Sequence, residues 1–444
     1  MSRIKVIISI VFLGLVAGSQ LFPMRHTQAG QVSAEDSLSI EQVISLSIQN
    51  YPAVKDADEA VHAADYKIAL AKAPLHPEAD IQATYVRVGP VPAFDLPGLG
   101  SMELAPYNNY DADINFRQRL FDFGKTNAEV NYEQKNKIVQ ELSASQVKQR
   151  VSLTAITTYY ALLYLQEALK IKNEQLANLQ SHLDYIIKKE QTGSATQYEI
   201  LATKVKISGI ESQKLDLAAA QKIQLATLNA LLNQPAGRTY YLKQAPVTEV
   251  REFSTDSLLE KALTSRDEVK QAIEKEKLNS LHYDVVAHEN NPVLTAFGSA
   301  GAKNGYEPDI QKLTVNFTAG LGLRVPILDG GRSDNRLLLA SSAMKSSAFQ
   351  TELLKKNITT EVTENEANLA AAGQKVKQFI IQFSQAEKAH ALADVSFKAG
   401  VITNLDLLDA TTALSESKLY LLKAQIDYQL NLYKVKAAVG DQLY

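Results

Sequence analysis

The side chains that most often carry chemistry are either missing from this 444-residue chain or dispersed along it. Cysteine is absent, which excludes a disulfide framework, a thiolate metal site, a cysteine nucleophile and a lipid-modified N-terminal cysteine. The seven histidines, at 26, 62, 76, 182, 282, 288 and 390, are scattered. His282 and His288 stand six apart, which is not the i, i+4 spacing of a helical zinc pair. Glu361, Glu364 and Glu366 read as the solvated face of a long helix. Gly320-x-Gly322 lacks the further glycine and the helix start of a phosphate loop, and belongs to a strand. With no nucleophile–base arrangement, the chain reads as no enzyme, and no metal or cofactor is expected. The ordered spacings that remain are structural. Gly193 in "KEQTGSATQYEILA" and Gly400 in "FKAGVITNLDLLDA" interrupt helical runs, as the left-handed residue after a helix end does. Thr196 with Glu199, and Thr403 with Asp406, have the T-x-x-acid spacing of a capping box that restarts a helix.

The two interruptions are 207 residues apart, and the same offset sets "LFDFGK" (120–125) on "ILDGGR" (327–332). Asp122 falls on Asp329, so both copies run 71 residues from that Asp to the interrupting Gly. Upstream, an offset of 215 aligns Val54-Lys55 with Val269-Lys270 and Pro77 with Pro292. The chain is therefore written twice. Repeat one covers about 38–235, repeat two about 253–440, and 236–252 links them.

Each repeat must position its turn with the same series of elements. A helix of about 36 residues (38–73) comes first and is stopped by Pro74 and Pro77. Two stretches with strand alternation follow. In "DINFRQRL", Ile114, Phe116 and Leu120 share one face, and Asp113, Asn115, Arg117 and Arg119 the other. In "LTVNFTAGLGLRVP", the odd-numbered residues from Val315 to Val325 are apolar and oppose Asn316, Thr318, Gly320, Gly322 and Arg324. Partner strands are expected near 79–88 and 293–301, joined through loops at 89–109 and 302–312. A helical run of some 68 residues then ends at Gly193, and it spans roughly 100 Å. A helix of about 37 residues returns and is ended by Pro235. By length, the two shorter helices stacked end to end match the long one as a strut. In the last helix Leu407, Leu414, Leu421, Tyr428 and Val435 recur every seven residues, as do Leu405, Thr412, Leu419, Ile426 and Tyr433. These seams lie about 200° apart, which suits a strut with a neighbour on each side.

Composition bounds the class. Charged residues make up 21% and apolar ones 45%, which excludes a disordered chain. "MSRIKVIISIVFLGLVAGSQ" has the layout of a secretory signal, with cleavage expected after Ala29. Its apolar stretch, residues 4–16, is too short to span a bilayer, and no later run is long enough. Without residues 1–29 the chain carries 43 basic and 49 acidic side chains, a balance of −6, which argues against nucleic acid as a partner.

Strict alternation fits a sheet between water and apolar surroundings. That sheet is either the wall of a membrane barrel, crossed by about ten tilted residues per strand, or a soluble half-buried sheet. Four strands cannot close a barrel, and open edges are forbidden in lipid. Membrane strands would therefore need several chains: twelve strands from three, or sixteen from four. The residues alone leave both open.

The duplication, the order of elements, "PILDGGR" closing the fourth strand and "FKAGVITNLDLLDATTALSESK" resemble the TolC family of outer-membrane efflux proteins over about residues 38–440. The resemblance implies a mixed α and β fold. Three copies would form a homotrimeric channel, with a shared 12-stranded transmembrane β-barrel, four strands per chain, above a long periplasmic α-helical barrel. The 236–252 linker and the residues after Gly440 would lie in an equatorial girdle. Residues 1–29 would be the signal peptide and 30–444 the channel. The implied function is the outer-membrane exit duct of a tripartite efflux or type I secretion system in a Gram-negative-type cell. Its implied partners are a periplasmic adaptor (membrane fusion) protein, an inner-membrane pump and outer-membrane lipid. The resemblance puts adaptor docking at the tips, Gly193, Ser194, Gly400 and Val401, beside the caps Thr196 and Thr403. Aspartates at the family's closed aperture match Asp406 and Asp409, with Glu199 and Ala202 as their first-repeat counterparts. The implied periplasmic gate is thus Asp406, Asp409 and Glu199. A basic residue of the lock in the family's best-known member is Ile402 here, which puts that salt bridge in doubt. A rival reading from another class is a secreted periplasmic coiled-coil scaffold or adaptor without a channel. It explains the long helices but not four alternating strands placed at equal distances from two tips.

Overall fold

The structure, a computed structural model, describes residues 37–96, 100–243 and 254–444. The expected signal segment and linker residues 244–252 lie outside them. In chain order come β1 (Ser37–Leu38), α1 (Ile40–Asn50), α2 (Pro52–Lys72), β2 (Glu78–Arg87), β3 (Ala93–Leu96), β4 (Gly100–Glu103), β5 (Asn108–Phe121), α3 (Lys125–Gln191) and α4 (Gln197–Leu231). Then follow β6 (Tyr241–Leu242), α5 (Thr255–Ser265), α6 (Asp267–His288), β7 (Val293–Lys303), β8 (Thr314–Arg324), α7 (Arg332–Lys398) and α8 (Asn404–Ala438). The duplication is literal. α3 and α7 each have 67 residues, α4 and α8 each have 35, and both pairs start 207 residues apart.

The opening helix differs from expectation. It is two helices, α1 and α2, broken at Tyr51, whose backbone is extended at ψ 127° before Pro52. Proline disfavours helical geometry in the residue before it and is tolerated only in a helix's first turn. The same break recurs 215 residues later at Arg266, without a proline. There the guanidinium holds the bend. Only 10% exposed, it pairs with Glu268 at 3.2 Å and Glu361 at 2.7 Å. It also donates to the carbonyl of Ala438 at the end of α8. Glu361 is therefore an ion-pair partner, not simply a solvated charge. α2 and α4 together are shorter than α3, because α1 packs into a core with β1, β6, α3 and α4 and does not extend the strut.

The sheet order is β2-β5-β7-β8, antiparallel throughout. β3 and β4 form a separate hairpin within the stretch expected to be loop. Alternation holds across every pair. Ile81 stands opposite Ile114, Ile114 opposite Ala300 and Ala300 opposite Phe317 on one face. Asp80, Asn115, Ser299 and Thr318 form the neighbouring row on the other. Past Arg119 a bulge shifts the register, so that Phe121 faces Leu294. The apolar face has no cover in the single chain: Ile81 is 79% exposed, Val315 84% and Phe317 83%.

Two equivalent joints fasten the sheet to the struts. Asp122 accepts from the backbone N–H of Thr126 at 2.9 Å and from its hydroxyl, and pairs with Arg119 at 3.2 Å. Asp329 accepts from Ser333 N–H at 2.8 Å, from the Ser333 hydroxyl and from Asn290 at 3.0 Å. Each carboxylate thus serves orphan donors in the first turn of a long helix. Burial pushes the Asp122 carboxyl up, but the Thr126 and Arg119 contacts outweigh it and hold it low. The hydroxyl and N–H of Ser333, helped by Asn290 and Gly331, hold Asp329 down to about 2.

α3 packs on α2 and α6 in its first half, where Lys148 meets Asp58 at 2.9 Å and Lys135 meets Glu274 at 2.7 Å. Its second half lies against α4 and α8. The apolar interior falls into three clusters. One joins α1, β1, β6, α3 and α4 around Tyr159, Tyr160, Leu162 and Leu228, each at most 2% exposed. A second joins α5, α7 and α8 around Ile358, Val362 and Tyr428. The third fills the far end, around Ile186, Ile200, Phe397, Leu407 and Leu408. Full burial of one such side chain stabilises by about 1.5–3 kcal/mol. The two seams of α8 are both used near its C-terminus. Ile426 belongs to the first cluster with Tyr433 against it, while Tyr428 and Val435 belong to the second. Leu405, at the other end of its seam, is 56% exposed.

Candidate functional site

The site begins with two turns. Gly193 has φ +75° and Gly400 φ +76°, the left-handed region that a side chain disfavours. Ser194 donates its N–H to the carbonyl of Lys189 at 2.8 Å, and Gly193 donates to Glu190 at 2.9 Å. Val401 to Ser396 and Gly400 to Phe397 repeat the pattern at 2.9 and 3.1 Å. These paired bonds are Schellman motifs, which satisfy the last carbonyls of α3 and α7. Both capping boxes are complete. Thr196 N–H donates to Glu199 Oε2 at 2.6 Å and Glu199 N–H to Thr196 Oγ1 at 3.3 Å. Thr403 N–H donates to Asp406 Oδ2 at 2.9 Å and Asp406 N–H to Thr403 Oγ1 at 3.3 Å.

The acidic residues of the tip hold different bonds. Thr403, through its hydroxyl and then its N–H, keeps the Asp406 carboxyl below the usual carboxylate range. Asp406 therefore stays ionised at neutral pH. Asp409 lies 3.8 Å from Lys206 of α4 and is 66% exposed along its side chain. Glu199 is bound into its own cap. Val401 is 76% exposed at the very end of the hairpin.

A contact absent from the sequence reading ties the two hairpins together. Asn404, the first residue of α8, is 3% exposed. Its Oδ1 lies 2.6 Å from His182 Nε2 on α3. Its Nδ2 donates to Thr203 Oγ1 at 3.3 Å and to the Glu199 carbonyl at 3.4 Å on α4. Because Nδ2 is the donor to α4, Oδ1 faces the histidine as acceptor and Nε2 carries the proton. Lys189 stands over the Phe397 ring at 5.0 Å beside this contact. Higher up, Lys172, Gln175 and Ser415 form a buried polar set between α3 and α8, with Ser415 donating to Gln175 at 2.7 Å. An asparagine directly after a threonine cap is the only local mark of this contact, and its partner is 222 residues away.

At the opposite end the polar face of the sheet is concave. Asp80, Asn115, Arg117, Arg119, Thr318 and Arg324 line a groove of about 830 Å³. No group of His, Asp and Glu among the described residues is placed to hold a metal ion. No described helix is long and apolar enough to cross a membrane.

The family model described as "Outer membrane efflux protein" matches residues 43–234 and 258–441. Outer membrane protein TolC of Escherichia coli (strain K12) is 22% identical over 93% of this chain and 84% of its own length. Alkaline protease secretion protein AprF of Pseudomonas aeruginosa is 21% identical over 72% of this chain and 68% of its own. Among solved structures, the Campylobacter jejuni CmeC outer membrane channel superposes with a TM-score of 0.76 at 16% identity. That match covers 91% of this chain and 86% of the other.

Proposed function

Since the chain belongs to the outer membrane efflux protein family, we propose that three copies of it close one continuous conduit from the periplasm to the cell exterior. The chain is an outer-membrane exit duct for efflux or secretion. The observation that carries the assembly is the sheet. Its apolar face is bare, and neither edge strand, β2 nor β8, has an outer partner among the described residues. Such edges cannot stand in lipid. β2 and β8 run antiparallel to each other, so β8 of one copy can pair with β2 of the next and keep an even, antiparallel barrel. Three copies supply twelve strands. The paired stretch of β7 and β8 has eleven residues, or about 37 Å along the strand, which when tilted matches an apolar band of about 25 Å.

Below the barrel, α3 and α7 extend to the tips. The tips at Gly193, Ser194, Gly400 and Val401 dock a periplasmic adaptor, which connects an inner-membrane pump. Asp406 and Asp409, with Glu199 behind them, form the periplasmic gate. The ionised state of Asp406 supports that role, since three copies would set its three carboxylates around the opening. Residues 1–29 act as the signal peptide, and the channel proper runs from residue 30 to 444, with 236–252 in the girdle.

Outer-membrane fractionation and gel migration test the assembly. The expected result is a detergent-resistant band of three chains that collapses to one on heating. Recovery in the soluble periplasmic fraction would instead establish the coiled-coil scaffold.

A further inference from the structure

One aromatic ring interrupts the polar face of the sheet. Phe297 of β7 belongs to the row of Arg117 and Gly320, yet its side chain is 43% exposed on that concave side. Its neighbours on β8 leave it room. A Cβ on Gly320 would come within 2.7 Å of the ring's Cζ, and one on Gly322 would lie 3.7 Å from Cε1. The far end of the ring therefore occupies the space that side chains at Gly320 and Gly322 would take, and the ring lines the groove.

The charges around the ring are unequal in their commitments. Arg119 pairs with Asp122, and Lys125 donates to the Glu289 carbonyl at 3.1 Å. Asp80 accepts from Asn115 at 3.3 Å. Arg117 stands directly across from Phe297 in the register, and Arg324 lies on the same face at the end of β8. In the single chain neither guanidinium has a hydrogen bond or ion pair among the described residues, even though Glu78 faces Arg117 across β2; Arg324 lies on the edge strand that would meet the next copy. A half-exposed aromatic ring that shares one groove with two such guanidinium forks suits a flat ring bearing a carboxylate, sulfonate or phosphate. The ring stacks in offset fashion and the guanidinium grips the anion through paired N–H donors.

We propose that the groove of Phe297, Arg117 and Arg324 is a transit subsite for aromatic anions at the inner mouth of the barrel. The proposal rests on the duct reading, because only there does this face line the exit path. It gives the duct a substrate preference at the barrel, distinct from anything at the tips.

Single-channel recording on the purified full-length protein in planar bilayers tests it. Three probes are added on the barrel side: 1-naphthalenesulfonate, neutral 1-naphthalenemethanol and inorganic sulfate. Naphthalenesulfonate is expected to reduce conductance at concentrations roughly tenfold below either control. Phe297→Ala and Arg117→Gln should each weaken that block by about five- to tenfold, and Phe297→Tyr should restore it. Arg324→Gln provides a second variant away from the glycine contacts. Equal potency of the three probes, or block unchanged in Phe297→Ala and Arg117→Gln, would overturn the subsite while leaving the duct intact. A wild-type protein that never conducts would overturn the duct reading and the subsite with it.

Discussion

Replacing Asn404 with Ala should loosen the tips of the proposed gate more than any other single polar change there. From the first turn of α8 the side chain bonds to both α3 and α4. Its loss removes the 2.6 Å contact with His182 and two longer contacts, at 3.3 and 3.4 Å. Thr203 keeps a partner, since its hydroxyl also donates to the Glu199 carbonyl at 2.8 Å. The short bond therefore dominates, and a hydrogen bond of this kind is worth about 1 kcal/mol net, rising to ~2 when a partner is left unmatched. If opening separates the hairpins in all three copies together, the closed state loses about 3–6 kcal/mol, or roughly 10²–10⁴ in the closed-to-open ratio. Open probability in planar bilayers at fixed voltage reads this directly. His182→Ala should follow in the same direction, because it removes the same short bond. An Asn404→Ala channel that stays as closed as the wild type would refute the reasoning, and the contact would then be packing detail within a rigid tip.

Other expectations follow from the turns and joints. Gly400→Pro should abolish export while heat-dissociable trimers remain in the outer membrane, because proline cannot adopt φ +76° and lacks the N–H given to Phe397; normal export would move docking away from the tips. The double variant Asp406→Asn, Asp409→Asn should keep the trimer, weaken cation preference and remove block by multivalent cations from the periplasmic side; unchanged selectivity and block would leave both residues as caps alone. Asp329 is ionised down to about 2 in the folded chain against an ordinary 3.8, so its stabilising contribution is complete above about pH 4 and fades as pH falls toward 2. Thermal melting across that window should therefore be less acid-sensitive in Asp329→Asn than in the wild type. Gly440→Ala should destabilise far more than Gly193→Ala: both glycines are left-handed, but only at 440 would the new Cβ meet the Arg266 backbone, at 2.8 Å. Equal urea midpoints for the two would show that this contact contributes nothing.

What could be read from the chain was whatever obeys a local period or repeats itself. The faces of β8 follow from alternation because every odd residue from Val315 to Val325 is apolar. The turns follow from Gly193 and Gly400 because left-handed geometry and the T-x-x-acid spacing are both local. The break before α2 departs from the single helix expected over 38–73 although Pro52 marks it, since the helical composition on either side outweighs one residue. The break at Arg266 leaves no local mark, because it is fixed by Glu361 and the end of α8, far along the chain. The Asn404–His182 contact escaped for the same reason. The bulge beyond Arg119, which brings Phe121 opposite Leu294, likewise depends on which strand lies alongside.

The equal 67-residue lengths of α3 and α7 act as a ruler inscribed twice in one gene product. In a ring of three copies they bring six hairpins to one level, so that a partner meets an even rim. Lengthening one helix alone by seven residues would preserve its apolar seam yet raise every second hairpin by about 10 Å. A flat collar of adaptors could then touch only half the rim. If an adaptor docks at the tips as proposed, the depth of periplasm this duct can reach is free to change only through matched insertions, and that partner would hold the two halves of the chain to a common length.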